Sequence, residues 1–518
     1  MRITRGQEIG RAARINSAPA IGALAALGLS VVWVVLRMSV LHDWTHTFRP
    51  TLEYDSANAA RTIWFALHPD ALAQWQRVWL QAGSGRFIEP PILQTLTALT
   101  YFPGGVERPW TSAIFTSLAW LMAGALLWDV CRRLVGSLEA SVGLAYFLFA
   151  PFAIAVSRSF QSDSLAMLGL VATAWFGVRN DVLASRRNLL VMAVLAGLAA
   201  LVKPGPLILP IIGVVVATAS ERGSIWSDRQ RRWRLAALIG LVALPAVAYG
   251  TLFLQGQVHA KVIPSLLLTT DYYLGWARNV VHVVGWTALP LAAVGIWLTP
   301  RLWRLVAGFL AGYLVTSLAF TWHTMTHDYY QVPLLALAAI GLAAFAGATV
   351  RTFRSSHPAI ASLMFAALLA TGPVAYLTVP VDVFPASDAY EVDAPTFAAI
   401  GERLGRGNPV IGYSYNESFP LMYYSGLLVS PWPTSGDREF THLQGIDGED
   451  DQRLAAAMRD GIHYFIVTAD LRGVDTVRAF LDPRAPLLCQ TPRMWVYDLE
   501  NPTHLPPNER ATAPAGPC

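Results

Sequence analysis

Apolar stretches long enough to cross about 30 Å of hydrocarbon as helices recur along this chain. They lie near residues 17–40, 109–130, 138–156, 163–178, 235–254, 279–299, 305–322, 329–350 and 358–379. A further apolar stretch, 189–219, is interrupted by Lys203-Pro204-Gly205-Pro206. Proline lacks an amide donor and glycine is flexible, so this stretch reads as two shorter helices meeting at a turn. Nine uninterrupted stretches and this pair give eleven spans. Hydrophobic residues make up 54% of the chain, charged residues 14%, and the mean hydropathy is +0.42. A soluble protein of this composition would lack the polar surface to cover its core, so the chain reads as a polytopic α-helical membrane protein.

The distribution of arginine supports the count, because Arg and Lys accumulate in short cytoplasmic loops. With the N-terminus inside, the cytoplasmic segments hold Arg2, Arg5, Arg11, Arg14, Arg132, Arg133, Arg179, Arg186 and Arg187. They also hold the cluster Arg229, Arg231, Arg232 and Arg234, then Arg301, Arg304, Arg351 and Arg354. Reading 189–219 as a single span would invert everything after it and place the Arg229–Arg234 cluster outside. The basic start looks like a signal peptide, but its apolar run exceeds twenty residues without a clear small-residue cleavage site, which favours a retained first helix. The pI near 9.0 comes largely from the cytoplasmic arginines. It favours an anionic inner leaflet and gives no sign of nucleic acid. Localisation in the plasma (inner) membrane follows. Of three cysteines, Cys131 falls at a cytoplasmic helix end, while Cys489 and Cys518 fall outside and could pair.

Two segments outside the membrane are large enough to fold. Residues 41–108 contain amphipathic, tryptophan-rich stretches at Ala59–Leu67 and Ala71–Leu80. Tryptophan prefers the headgroup level, so these are expected to be helices lying on the membrane. From about Val381 the composition turns polar. Val410–Tyr413, His463–Thr468 and Met494–Leu499 read as strands, and Ala394–Leu404 and Asp451–Asp460 as helices, which predicts a small α/β domain. By parity it is extracytoplasmic. The domains are therefore 1–380, a transmembrane module; 381–500, the α/β domain; and 501–518, a Pro-rich polar tail expected to be disordered.

Polar residues that could carry chemistry gather at helix ends on the outer face. Glu53 and Asp55 sit in Thr51-Leu52-Glu53-Tyr54-Asp55-Ser56, Asp163 follows Ser157-Arg158-Ser159-Phe160-Gln161-Ser162, and Lys203 stands at the helical break. His327 and Asp328 open His327-Asp328-Tyr329-Tyr330-Gln331. A charge at a membrane boundary is costly unless paired or functional. Structural readings stand beside the functional ones. Asp163 could cap the next helix, His327-Asp328 could be a solvated loop with Tyr329 and Tyr330 in an aromatic belt, and Lys203 could snorkel. Lys203 is one of only two lysines in an arginine-rich chain. Glu53 and Asp55, two carboxylates at spacing two with no evident helix to cap, favour function.

Five features in order resemble the GT-C superfamily of polytopic glycosyltransferases. They are the acidic motif of the first outer loop, Glu89-Pro90-Pro91-Ile92-Leu93 before the second span, Arg158 with Asp163, the Lys203–Pro206 turn and the Asp-Tyr-Tyr entry to a late helix. Within the superfamily the chain is similar to the branch of protein O-mannosyltransferases and lipid A aminoarabinose transferases, over about residues 17–350. The tail resembles that branch's extracytoplasmic domain loosely.

The resemblance implies transfer of a sugar from a polyprenyl-phosphate carrier to an extracytoplasmic lipid, glycan or protein, with inversion at the anomeric carbon. Asp55, with Glu53 as neighbour or alternative, would be the general base, and Asp163 would belong to the same catalytic set. The phosphate leaving group needs positive charge rather than a proton donor, for which Lys203, Arg158 and Arg278 are candidates. His327, Asp328, Tyr329, Tyr330 and Glu89 would line the substrate site. One departure matters: that branch typically has a phosphate-binding lysine where this chain has Glu89, and Arg86, three residues earlier, is the candidate to compensate. Glu53, Asp163 and His327 are candidate metal ligands, although a monophosphate held by cations requires no divalent cation. A transporter or lipid flippase would also use intramembrane charges and broken helices, but the polar residues cluster at one face rather than the midplane and no internal repeat is evident. A non-catalytic scaffold would leave the acidic residues unexplained.

Overall fold

The computed structural model describes residues 5–38, 50–82, 89–102, 105–221, 228–253, 262–353, 355–378, 388–445, 448–469, 471–500 and 516–517. Of the residues singled out above, Arg2, Arg86, Arg354, Cys518, the domain boundary near Val381 and most of the 501–518 tail lie outside the described residues. The chain divides into two compact units. One comprises Met1–His42, Ile88–Ile92 and Trp110–Phe384; the other comprises Asp43–Phe87, Leu93–Pro109 and Pro385–Cys518.

In order along the chain, the first helices are α1 (Arg5–Met38), α2 (Pro50–Leu67), α3 (Gln74–Gln81) and α4 (Ile92–Leu99). The apolar unit then continues with α5 (Ser112–Leu134), α6 (Ser137–Phe149), α7 (Pro151–Val156), α8 (Asp163–Arg179), α9 (Arg186–Val202), α10 (Pro204–Glu221) and α11 (Arg229–Phe253). It ends with α12 (Thr270–Val284), α13 (Ala288–Trp297), α14 (Trp303–Ala319), α15 (Thr321–Thr326), α16 (Leu334–Phe353) and α17 (Pro358–Thr378). Among the described residues, five helices are long and apolar enough to cross a membrane unaided, and up to six if the α12–α13 pair is one span. Other apolar helices, such as Ser137–Phe149, are shorter.

Local chemistry explains the breaks. Ser185 caps α9 by accepting from the Asn188 amide, and α9 stops at Lys203 because the residue before a proline is driven out of helical geometry. Pro204 then supplies the first residue of α10, where its missing N–H is harmless. The stretch 279–299, read as one span, falls on α12 and α13, which are bent by 87°. Gly285, at φ +92, makes that corner with a backbone angle closed to most side chains.

Packing follows residue size. A Cβ on Gly213 would meet the Gly308 carbonyl oxygen at 1.9 Å, and one on Gly312 would meet that of Leu209 at 2.1 Å, so α10 and α14 touch backbone to backbone. In α16, 78% of the apolar window is buried, against 17% in α11. The first is a central helix. The second leaves Leu244, Val247, Leu252 and Phe253 exposed, as a lipid-facing helix would.

The second unit is an α/β domain. Its sheet has the order β2-β1-β3-β5-β4-β6, where β1 is Pro409–Tyr413, β2 Leu428–Pro431, β3 Tyr464–Thr468, β4 Leu487–Thr491, β5 Met494–Asp498 and β6 Gly516–Pro517. β1 pairs in parallel with β2 and β3, β5 is antiparallel to β3 and β4, and β6 is parallel to β4. Alternation along the strands builds two cores. Val410, Ile466 and Val496 face one, with Phe397, Ile400 and Leu404 of α18 (Asp388–Leu404) and Leu421 of α19 (Phe419–Ser425). Ile411, Phe465 and Tyr497 face the other, with Leu454 of α21 (Asp450–Arg459) and Val477 and Leu481 of α22 (Val474–Leu481). α20 (Ser435–Leu443) precedes α21.

The two first-loop helices are present, and two of their aromatic rings are turned inward while Trp64 and Trp75 are half-buried. Phe65 and Trp79 are buried in the first of these cores, because the apolar faces of α2 and α3 are spent on the α/β domain. The tail expectation also changes at its end, where Gly516 and Pro517 pair with Cys489 and Gln490.

Candidate active site

In the helical unit, the break between α9 and α10 brings together three residues far apart in sequence. Lys203 Nζ lies 2.7 Å from Asp163 Oδ1 and 3.9 Å from Glu89 Oε1. Ser162 donates its hydroxyl to the other Glu89 oxygen in a short hydrogen bond. Lys203 and Asp163 are 4% and 3% exposed, so the ion pair is desolvated, whereas Glu89 is only half-buried. Asp163 lies in the first turn of α8, where the helix dipole favours a carboxylate. Its Oδ2 is buried without a hydrogen-bond partner.

The Asp328 region borders this cluster. The Tyr329 ring takes the Lys203 ammonium at 4.5 Å from its centroid, a cation–π contact. Tyr329 packs on Tyr330 at 5.1 Å and on His327 at 5.3 Å. Asp328 faces His282 of α12, Oδ2 to Nε2, at 3.6 Å. A small cavity is lined by Asp163, Lys203 and Tyr329 together with apolar residues that include Ala166, Met167, Leu170, Leu207 and Val332. Two carboxylates thus surround one ammonium beside an apolar-walled hollow.

The other cations are placed differently. Arg158 is half-buried in the turn before α8. Arg278 is exposed on α12 and makes no ion pair among the described residues. Among the described residues no group of three or more His, Cys, Asp or Glu side chains is arranged to hold a metal ion.

In the α/β unit, the surroundings of Glu53 and Asp55 differ from expectation. Both lie inside α2, which begins at Pro50, and Glu53 is in its first turn. Spacing two in a helix separates side chains by about 200°, so the two carboxylates point to opposite sides and are not a shared pair. Glu53 is 3% exposed and Asp55 half-buried, which leaves Asp55 the more accessible. Pro50 opens the helix at an N-terminal position, where its missing N–H is harmless.

Sequence reasoning missed Ser162 and His282. Ser162 could have been noticed as the neighbour of Asp163; His282 carries no local signal, since only the fold sets it against Asp328.

A bundle of apolar helices with a proline-made polar break, joined in one chain to an α/β domain, defines a multi-pass membrane protein with the GT-C glycosyltransferase fold. The model of the dolichyl-phosphate-mannose-protein mannosyltransferase family matches residues 89–249, which include Glu89, Asp163 and Lys203. The chain superposes on ArnT from Cupriavidus metallidurans in the apo state with a TM-score of 0.55 at 15% identity, over 92% of this chain and 98% of that one. For ArnT bound to undecaprenyl phosphate the TM-score is 0.57 at 15% identity, over 91% and 98%. The arabinofuranosyltransferase AftD from mycobacteria gives 0.50 at 14% identity, over 93% of this chain and 41% of that one. At such identities these likenesses establish the fold. No curated protein sequence matches.

Proposed function

We propose that this protein is a glycosyltransferase that moves a sugar from a polyprenyl-phosphate carrier to an acceptor hydroxyl on a lipid, glycan or protein outside the cytoplasm. The observation that carries this reading is the buried Lys203–Asp163 pair, with Glu89 and Tyr329 beside it, next to a small cavity whose other lining residues are apolar. A carrier with a phosphate head and an isoprenoid tail needs just such a transition from charge to hydrocarbon. ArnT, which shares the fold, has been seen bound to undecaprenyl phosphate.

In this mechanism Asp55 accepts the proton of the acceptor hydroxyl as its oxygen attacks the anomeric carbon. The bond from that carbon to the phosphate oxygen breaks on the opposite side, the configuration inverts, and polyprenyl phosphate leaves with the electron pair. Lys203 stabilises the departing phosphate. One ammonium between two carboxylates leaves a formal net charge of −1 at the cluster, so Arg158 or Arg278 would share that role. No divalent cation is needed for these steps. His327, Asp328 and Tyr330 would shape the pocket around the sugar.

We read eleven spans, which with the arginine distribution favour a cytoplasmic N-terminus, an inner-membrane location and an extracytoplasmic α/β domain. Reporter fusions or cysteine labelling within Asp451–Asp460 should report an extracytoplasmic position; a cytoplasmic one would overturn the whole arrangement. Membranes containing the protein should transfer label from a polyprenyl-phosphate sugar to an endogenous acceptor. Movement of intact labelled lipid across the bilayer without sugar transfer would favour a flippase instead.

A further inference from the structure

One face of α2 is polar where an apolar stripe would be expected. Thr51, Tyr54, Asn58 and Arg61 recur at steps of three, four and three, which stacks them on one side of the helix. Each makes a hydrogen bond to the segment that follows β1. The Thr51 hydroxyl donates to Asn416 Oδ1 at 3.1 Å, and Tyr54 OH meets Tyr424 OH at 2.7 Å. Asn58 Nδ2 donates to the Phe419 carbonyl at 3.2 Å, and an Arg61 terminal nitrogen to that of Tyr423 at 2.7 Å.

Arg61 is the best-built of the four. It is 7% exposed, holds Glu107 through two parallel hydrogen bonds of 2.7 and 2.8 Å, and lies 4.3 Å over the Tyr423 ring and 5.3 Å over Trp79. Burial works against its charge, but the Glu107 carboxylate more than offsets this and holds the guanidinium pKa above its ordinary value.

The partner segment is strained. Asn416, Glu417 and Ser418 have φ of 53, 54 and 63, three consecutive non-glycine residues in the left-handed region. Such backbone persists only when its surroundings over-determine it. Here the run turns the chain from β1 into α19 and presents Asn416 to Thr51.

We propose that this polar seam is a positioning device in which α19 and the strained 416–418 turn fix the rotation of α2, and with it the direction of Asp55, with Tyr54 and Arg61 as the positioning residues. The proposal rests on Asp55 being the general base. Apolar packing tolerates rotation and sliding, whereas directional hydrogen bonds at four successive levels admit one register. Tyr54 adjoins Asp55 in sequence and Asn58 lies one turn on, so a rotation of α2 that broke the seam would re-aim the carboxylate. The C-terminal domain thereby acts on the reaction without touching substrate.

The test uses the full-length protein with a polyprenyl-phosphate sugar donor. Tyr54→Phe and Tyr424→Phe each remove one hydroxyl and keep the ring, so folding survives where Arg61 variants could fail. Each should lower kcat about tenfold with donor KM unchanged, and the double variant should be no worse than either single one, the mark of one shared interaction. Wild-type kcat in both Phe variants, alongside an inactive Asp55→Asn, would overturn the positioning proposal and leave the base assignment standing. Normal turnover by Asp55→Asn would overturn the base assignment itself, and the positioning proposal with it.

Discussion

Asp55→Asn should lower turnover by about 10²- to 10⁴-fold, the contribution expected of a positioned general base, while donor affinity stays close to wild type. Asparagine keeps the size and planarity of the side chain but cannot take up the acceptor's proton. The residue lies inside α2 and is half-buried, so the exchange leaves helix and packing largely intact. Glu53→Gln is a built-in comparison. Glu53 is buried on the other side of the same helix, in the first turn, where its charge complements the helix dipole. It should act mainly through stability, with a smaller loss of turnover than Asp55→Asn. The measurement is single-turnover sugar transfer with saturating donor, alongside donor binding by titration. If Asp55→Asn turned over normally and Glu53→Gln did not, the base would be Glu53. If both turned over normally, this helix would not carry the base and a transport role would become the better account.

What the sequence disclosed about this fold depended on how local the cause was. The end of α9 at Lys203 was readable because proline acts on the residue beside it. β1, β3 and β5 were readable because their apolar residues are buried on both faces. β2 was not, since it is four residues long, half-exposed and ends at Pro431; β4 carries Cys489, Gln490 and Thr491, which give little apolar pattern. The bend at Gly285 was hidden by a hydropathy that runs on through both helices, because a corner in an apolar segment changes direction without changing composition. The site followed the same rule. Asp163, Lys203 and Tyr329 stood out one by one as polar groups at helix ends, but their meeting depends on helix packing. Glu89 looked like a departure from a phosphate-binding lysine. The fold shows it engaged with Ser162 and near Lys203, a contact that no spacing in the chain encodes.

Lys203→Ala should both destabilise the protein and weaken donor binding, and the two effects can be separated. The Lys203–Asp163 pair is almost fully buried, and Asp163 Oδ2 has no hydrogen-bond partner. Removing the ammonium alone strands a buried carboxylate, which in buried ion pairs costs about 3–5 kcal/mol. A thermal melt in detergent should therefore shift down markedly. Removing both charges is different, because replacing a buried pair by apolar residues of similar volume is often neutral or stabilising. Lys203→Met combined with Asp163→Leu should recover most of the lost melting temperature. It should not recover binding of a polyprenyl-phosphate sugar, since the phosphate has lost its ammonium. Donor affinity restored together with stability would mean that Lys203 serves the fold alone, and the phosphate would then have to be held by Arg158 or Arg278. Affinity still lost in a stable double variant would assign the phosphate to the Lys203–Asp163 pair, because no folding defect would remain to explain the loss.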